Sequence, residues 1–108
     1  QAEFRAADAR VMAATQTAQA DLAGAEARLR SANSRVWATD GGVTAAEEAY
    51  RLSQIGFEAG RISQLELSSS RAALIAARNA AVDARLARVR AEVDLARLQG
   101  RFPFGSSR

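Results

Sequence analysis

Small and apolar residues recur along the first third of the chain at steps of three and four. They are Phe4, Ala7, Val11, Ala14, Ala18, Leu22, Ala25, Leu29, Ala32 and Val36. This spacing is typical of a helix that packs against another helix at the heptad period, and its phase shifts once between Ala18 and Leu22, as in a stutter. The pattern predicts a first helix over about residues 2 to 38.

The sequence Thr39-Asp40-Gly41-Gly42 interrupts this pattern. Because paired glycines weaken a helix and favour turns, it predicts a break near residues 39–43. Thr44 and Glu47 then have the spacing of a capping box, in which a hydroxyl and a carboxylate satisfy free amides at a helix start. A second helix is therefore predicted over about residues 44 to 59. Its seam would be Ala45, Ala49, Leu52, Gly56 and Ala59.

A tight turn is predicted at Gly60, because glycine suits the left-handed cap that ends many helices. Ser63 and Glu66 form a second capping box, and no helix breaker follows until the tail at 100–108. The third helix is therefore predicted over about residues 63 to 99. Its apolar seam would be Ile75, Val82, Leu86, Val89, Val93 and Ala96.

The predicted turn would fold the third helix back along the preceding arm. The apolar residues that would face each other are Val36 with Leu86, Ala32 with Val89, and Leu29 with Val93. The predicted fold is all-α: a long antiparallel coiled-coil helical hairpin with a break near residues 39–43, forming a single unit over residues 1–108. The first arm is the longer one, so the seam around Phe4, Val11 and Ala18 would stay uncovered, which favours self-association or a missing partner segment.

Composition narrows the possible chemistry. Hydrophobic residues make up 48% of the chain but aromatic residues only 6%, and the chain has neither cysteine nor histidine. Disulfides and thiolate metal sites are excluded, and the run Ser68-Ser69-Ser70 has no base that could activate a hydroxyl. We therefore expect no enzyme activity, no cofactor and no metal site.

Charge and hydropathy bear on the possible partners. The net charge is +3, all 15 basic residues are arginines, and the aromatic residues are scattered. A nucleic-acid binder usually concentrates basic and aromatic residues on one face, so no nucleic acid is expected. No apolar run approaches the roughly 18 to 20 residues of a membrane helix, so no direct membrane contact is expected in this segment.

Two groups of charged residues have regular spacing. Arg71, Arg78 and Arg85 recur at every seventh residue and share one stripe of the third helix. Two interpretations remain open: a solvated face whose aliphatic stems cover neighbouring apolar surface, or a contact for an acidic partner. Glu48 is expected to pair with Arg51 or with a neighbouring helix.

The turn carries apolar residues where few others can bury them. Phe57, Ile62 and Leu65 all lie at the tip of the predicted hairpin. Either they form a binding surface, or Phe57 and Leu65 close the end of the hairpin on each other.

Several runs around this turn resemble the carboxy-terminal repeat of TolC-like outer-membrane efflux proteins. They are AAEEAYRL at 45–52, GFEAGRIS at 56–63, LEL at 65–67 and LARLQGR at 95–101. The similarity covers about residues 40–104, and its most specific part is the glycine-aromatic-x-x-glycine tip. The glutamate-rich approach to the tip looks most like the outer-membrane partners of heavy-metal efflux pumps.

The resemblance implies a homotrimeric channel, in which a barrel in the outer membrane continues into the periplasm as a tunnel of paired helices. This chain would be one hairpin of the periplasmic tunnel wall. Its tip would dock the periplasmic adaptor (membrane fusion) protein of a tripartite export pump, with heavy-metal cations as the exported substrate. The tip residues would be Phe57, Gly60, Arg61, Ile62, Ser63 and Leu65. Glu66 matches an acidic position inside the entrance and would contribute to gating, although a second acid expected near Ser69 is missing.

Two other functions remain open. The chain could be the helical hairpin of a periplasmic adaptor protein, in which case it would interrupt a lipoyl-like β domain. It could also be a stand-alone coiled-coil oligomerisation module, which would be stable in isolation and would tolerate mutation of its tip.

Overall fold

Two helices account for almost all of the described chain. The computed structural model describes residues 2–101. Helix α1 spans Ala2–Glu58 and helix α2 spans Gln64–Arg101, with the turn between them. No strand is present in the range 2–101. The all-α hairpin predicted from the sequence is therefore confirmed.

Helix α1 continues through Gly41 and Gly42, so the predicted break near residues 39–43 is wrong. Thr44 is consequently not a helix cap: its Oγ1 donates a hydrogen bond to the Asp40 carbonyl oxygen at 3.2 Å, as in a helix interior. Two glycines cost a helix about 2 kcal/mol relative to alanine. Packing of the helix on both sides of the pair offsets this cost, because tertiary contacts outweigh local propensity in most protein helices.

The chain divides into two compact units, of which one comprises residues 32–89 and contains the turn. Its least exposed residues form an uninterrupted three-four repeat on each helix. On α1 they are Ala32, Val36, Thr39, Val43, Ala46, Tyr50 and Ser53, and on α2 they are Leu67, Ser70, Leu74, Ala77, Ala81 and Ala84. Val36 is 6% exposed and Ala84 is fully buried. This hairpin seam has heptad spacing, and alanine, valine and leucine supply its buried residues.

Both seams predicted for the second and third helices lie on other faces than the hairpin seam. Because α1 does not break, the residues after Gly42 keep the helical phase of Val36, and Val43 and Ala46 take the inner positions. On α2, Leu86 and Val89 are about half exposed, whereas the neighbouring Ala84 is buried. The predicted pairs Val36 with Leu86 and Ala32 with Val89 are therefore wrong.

The other unit comprises residues 2–31 and 90–101 within the described range. Ala25 and Ala91 are buried in it. Phe4 is 77% exposed and Val11 is also exposed. The prediction that the seam around Phe4, Val11 and Ala18 is uncovered is confirmed for Phe4 and Val11, whereas Ala18 is partly buried.

Candidate docking tip and outer helix faces

The turn ends α1 with a left-handed glycine. Gly60 has φ +74°, and its N–H donates to the Phe57 carbonyl oxygen at 3.0 Å. The Arg61 N–H donates to the Gly56 carbonyl oxygen at 2.8 Å. These two bonds define a Schellman motif, which satisfies carbonyl groups that the helix end leaves free. The predicted left-handed cap at Gly60 is confirmed.

Ile62 packs back onto the last turn of α1. Its Cγ2 lies 3.5 Å from the point that a Cβ on Gly56 would occupy. Ile62 is partly buried as a result. This apolar contact lies one residue beyond the Schellman motif and helps to set the direction in which the chain leaves the turn.

Ser63 and Glu66 form the predicted capping box at the start of α2. The Glu66 N–H donates to Ser63 Oγ at 3.1 Å, and the Ser63 N–H donates to Glu66 Oε1 at 3.2 Å. Each side chain therefore satisfies an amide that the helix start leaves free. The Oε1 atom of Glu66 thus accepts a backbone hydrogen bond at the start of α2, and the residue is exposed.

A shallow groove of about 530 Å³ runs along the tip. Its lining residues are Leu52, Ser53, Ile62, Leu65, Glu66 and Ser69. Leu65 is 76% exposed, so it is not covered by Phe57, and Phe57 does not line the groove. The geometry favours the interpretation of the tip as a binding surface over a closure of Phe57 on Leu65.

The arginine stripe on α2 faces acids on α1. Arg85 Nη2 lies 2.9 Å from Asp40 Oδ1, and Arg78 Nη2 lies 3.4 Å from Glu47 Oε2. Both pairs are about half exposed, so each contributes at most about 1 kcal/mol. The acidic partner of two of the three arginines is thus the first arm of the same hairpin, which the sequence interpretation did not anticipate.

Glu48 pairs with Arg51 on the same helix, as predicted. Arg51 Nε donates to Glu48 Oε1 at 3.1 Å, and Nη2 donates to the other oxygen. This hydrogen bond lowers the pKa of Glu48 and raises the pKa of Arg51. Both groups lie on the outside of the hairpin, so the pair acts on local helix geometry and not on a site.

Helix α2 carries a second apolar stripe beside its inner residues, and two members of the stripe, Ile75 and Val82, line grooves shared with α1. Within residues 32–89 we call Ile75, Val82, Leu86 and Val89 the α2 ridge. Each is about half exposed, and the four recur at heptad spacing. They belong to the seam predicted for the third helix. The predicted seam is therefore about half exposed and does not form the interior of the hairpin.

Helix α1 carries small residues on an exposed face of its own. We call Ala38, Gly42, Ala45 and Ala49 the α1 small face, and all four are exposed. Their spacing again alternates between three and four residues. Trp37, beside this face, is 81% exposed, and sequence reasoning treated it only as a scattered aromatic residue. Small side chains let a neighbouring helix approach closely, whereas the α2 ridge offers large ones.

The described residues contain no group of three or more histidine, cysteine or acidic residues that could hold a metal ion. In the range 2–101, no helical stretch has both the length and the apolar character of a membrane-crossing helix.

The two helices pack on each other through one seam and expose further apolar faces. This arrangement is typical of a class of proteins in which helical segments assemble side by side with other helices. The chain belongs to the outer membrane efflux protein family, whose family model matches residues 1–101. No curated protein and no solved structure matches the chain.

Membership of this family fixes the general function. The chain is a segment of an outer-membrane efflux channel, and its family consists of transport channels and not of enzymes. Channels of the family are generally trimeric and work with adaptor proteins. The match favours the channel over the two alternatives, an adaptor hairpin or a stand-alone oligomerisation module.

Proposed function

We propose that this chain forms one hairpin of the periplasmic tunnel wall of a trimeric efflux channel, in which the α2 ridge packs against a neighbouring hairpin. The observation that carries the proposal is the exposure of this ridge. Four large aliphatic residues at heptad spacing are half exposed on one helix, and contiguous apolar surface of this kind marks a protein interface.

The α2 ridge and the α1 small face carry side chains of complementary size. The α2 ridge supplies branched aliphatic side chains, and the α1 small face supplies alanines and a glycine. A neighbouring hairpin with the same arrangement would place large residues over small ones, which allows close packing without voids. The hairpin seam holds the two arms together, so the outer faces remain available for lateral contacts.

A charge placed on the ridge tests this arrangement in the complete channel. We expect Val82→Asp with Leu86→Asp to abolish the trimer and the efflux that depends on it, because a buried unpaired carboxylate strongly destabilises an interface. Ala76→Asp is the matched control, since Ala76 is exposed on α2 but lies off the ridge. Intact trimers and normal efflux in the double variant would contradict the proposal.

We further propose that the tip docks the periplasmic adaptor. The residues in contact would be Phe57, Gly60, Arg61, Ile62, Ser63 and Leu65. The exposed Leu65 and the groove beside it support this role, because they offer an apolar surface bordered by Ser53 and Ser69. A partner helix could bury Leu65 there and satisfy its own polar groups on the serines.

Adaptor docking is tested by Leu65→Asp, which replaces the exposed apolar group without touching a cap. We expect the variant to retain the trimer and to lose cross-linking to the adaptor and efflux. Ser68→Asp, on the same exposed turns of α2, is the control. Undiminished cross-linking of the Leu65 variant would remove the docking proposal.

Glu66 is proposed to act at the entrance as well as in the capping box. Its Oε1 serves the cap, while the exposed residue presents its charge to solvent. Three such carboxylates in a trimer would create a negative potential that favours cations. This potential supports heavy-metal cations as the exported class; Glu47 and Glu48 do not add to it, because they pair with Arg78 and Arg51. The test compares the growth of cells with and without the channel in graded zinc, cadmium and copper. Equal growth of the two strains in all three metals would contradict the proposed substrate class.

A further inference from the structure

Gly41 and Gly42 lie in the interior of α1, within residues 32–89, and both are helical. Glycine loses more backbone freedom than any other residue when it becomes helical. A pair of glycines is therefore the point at which α1 most easily leaves the helical conformation. Helix α2 has no glycine or proline between Gln64 and Gln99, so it has no comparable point.

The packing of the chain gives no reason for these glycines. No heavy atom lies within 4 Å of the position that a Cβ would take at Gly41 or at Gly42. Neither residue has positive φ, since Gly60 is the residue with that conformation among those described. At Gly56, by contrast, a Cβ would meet Ile62. Within the hairpin, the pair thus changes the stiffness of the backbone and not the packing of side chains.

Two threonines on either side of the pair weaken the helix further. Thr39 Oγ1 donates to the carbonyl oxygens of Arg35 and Val36 at 2.9 and 3.0 Å. Thr44 Oγ1 donates to the Asp40 carbonyl oxygen. Hydroxyls that bond back to the preceding turn compete with the amides for the same carbonyl oxygens, and they often bend helices.

The glycine pair lies beside a groove between α1 and α2 and next to an ion pair. A groove beside the pair is lined by Asp40, Val43 and Thr44 from α1 and by residues of α2 that include Ala81 and Arg85. The inner residue Ala81 contributes only a methyl group, which offers no large knob to lock the helices in place. The ion pair between Arg85 and Asp40 adds one polar contact directly before the glycines.

We propose that Gly41–Gly42 is a hinge at which α1 bends while α2 stays straight. The Asp40–Arg85 ion pair stabilises the straight form of α1. Residues 43–58 then swing against α2, where the small inner residues Ala46, Ser53 and Ala77 leave room for the shift. This inference concerns the chain itself and does not rest on the proposed function. If the channel assignment were wrong, the hinge would still be measurable.

Spin labels measure the bend directly, because the chain has no native cysteine. Ser34→Cys and Ile55→Cys place the two labels on α1, at exposed positions before and after the glycine pair. In a straight helix these positions, 21 residues apart, are separated by about 31 Å. Ser68→Cys and Val89→Cys give the same spacing on α2 as a control. We expect a broad distance distribution on α1 and a narrow one on α2. Gly41→Ala with Gly42→Ala should narrow the α1 distribution to that of α2.

Hydrogen exchange provides a second measurement on the full chain. Each glycine-to-alanine change should slow exchange of the amides of residues 43–46 about fivefold, from the helix propensity difference of about 1 kcal/mol. Arg85→Gln should speed exchange of the same amides, because it removes the ion pair with Asp40. Gly24→Ala, the same substitution elsewhere in α1, should leave them unchanged. A narrow α1 distribution in the unsubstituted chain, or exchange unaffected by the two alanines, would overturn the hinge.

Discussion

Ile62 lies across the turn on the face of Gly56, with 3.5 Å between its Cγ2 and the point that a Cβ on Gly56 would occupy. That distance is an ordinary van der Waals contact, so an added methyl group fits without displacing Ile62. The contact and the helical position of Gly56 together predict the effect of substituting it.

Gly56→Ala should stabilise the hairpin by up to about 1 kcal/mol, because alanine is the better helix former and the new methyl group adds a contact with Ile62. Urea unfolding followed by circular dichroism measures the change. Gly56→Leu, which is too large for the same gap, should be less stable than Gly56→Ala. A loss of stability in the alanine variant would show that Ile62 cannot accept the methyl group.

Gly60→Ala should act in the opposite direction. The φ of +74° at Gly60 lies in the left-handed region, where a Cβ costs roughly 1–2 kcal/mol. The same urea measurement should show a loss of that size, and Gly60→Asn should lose less, because asparagine tolerates this conformation better. Equal stability of the glycine and alanine proteins would mean that the turn can adopt another geometry.

Ser63→Ala should remove the hydroxyl that accepts the Glu66 N–H, at a cost of about 1 kcal/mol. Exchange of the first amides of α2 should accelerate at the same time. Ser68→Ala is the control, since Ser68 is exposed and takes no part in the cap. If the two variants lost equal stability, the capping box would contribute nothing specific.

The features of the turn were predictable from the sequence because they depend on near neighbours in the chain. The left-handed cap at Gly60 and the capping box of Ser63 and Glu66 each require only a few consecutive residues. The groove beside Leu65 was only half predicted: an exposed apolar tip was one of two interpretations, and the sequence could not choose between them.

The continuity of α1 and the choice of seam were not predictable in this way. The glycines at 41 and 42 favour a break locally, but packing of the flanking turns overrides that preference. Helix α2 has two apolar seams, and the sequence shows the larger residues of the ridge more clearly than Ala81 and Ala84. Which seam of α2 becomes the inner one depends on the fit with α1, and the residues buried in the hairpin are Ala81 and Ala84.

The Asp40–Arg85 pair should show weak, salt-sensitive coupling in a double-mutant cycle of Asp40→Asn and Arg85→Gln. Its side chains are about half exposed, and exposed pairs contribute roughly 0.2–1 kcal/mol. The coupling should fall further in 1 M salt, where screening acts over about 3 Å. Glu58 with Arg85, which form no ion pair within residues 32–89, is the control cycle. Coupling that persists at high salt would contradict an exposed pair.

The pKa of Glu48 should lie below its ordinary value of 4.5 because of the hydrogen bond and charge of Arg51. A lowered pKa in the folded chain means that the stabilisation is present above the unfolded pKa and is lost as the pH falls through the folded pKa. Arg51→Gln should return the pKa of Glu48 toward its ordinary value, whereas Arg61→Gln should leave it unchanged. Carboxyl titration by NMR measures both variants. An identical pKa of Glu48 with and without Arg51 would show that the pair does not persist in solution.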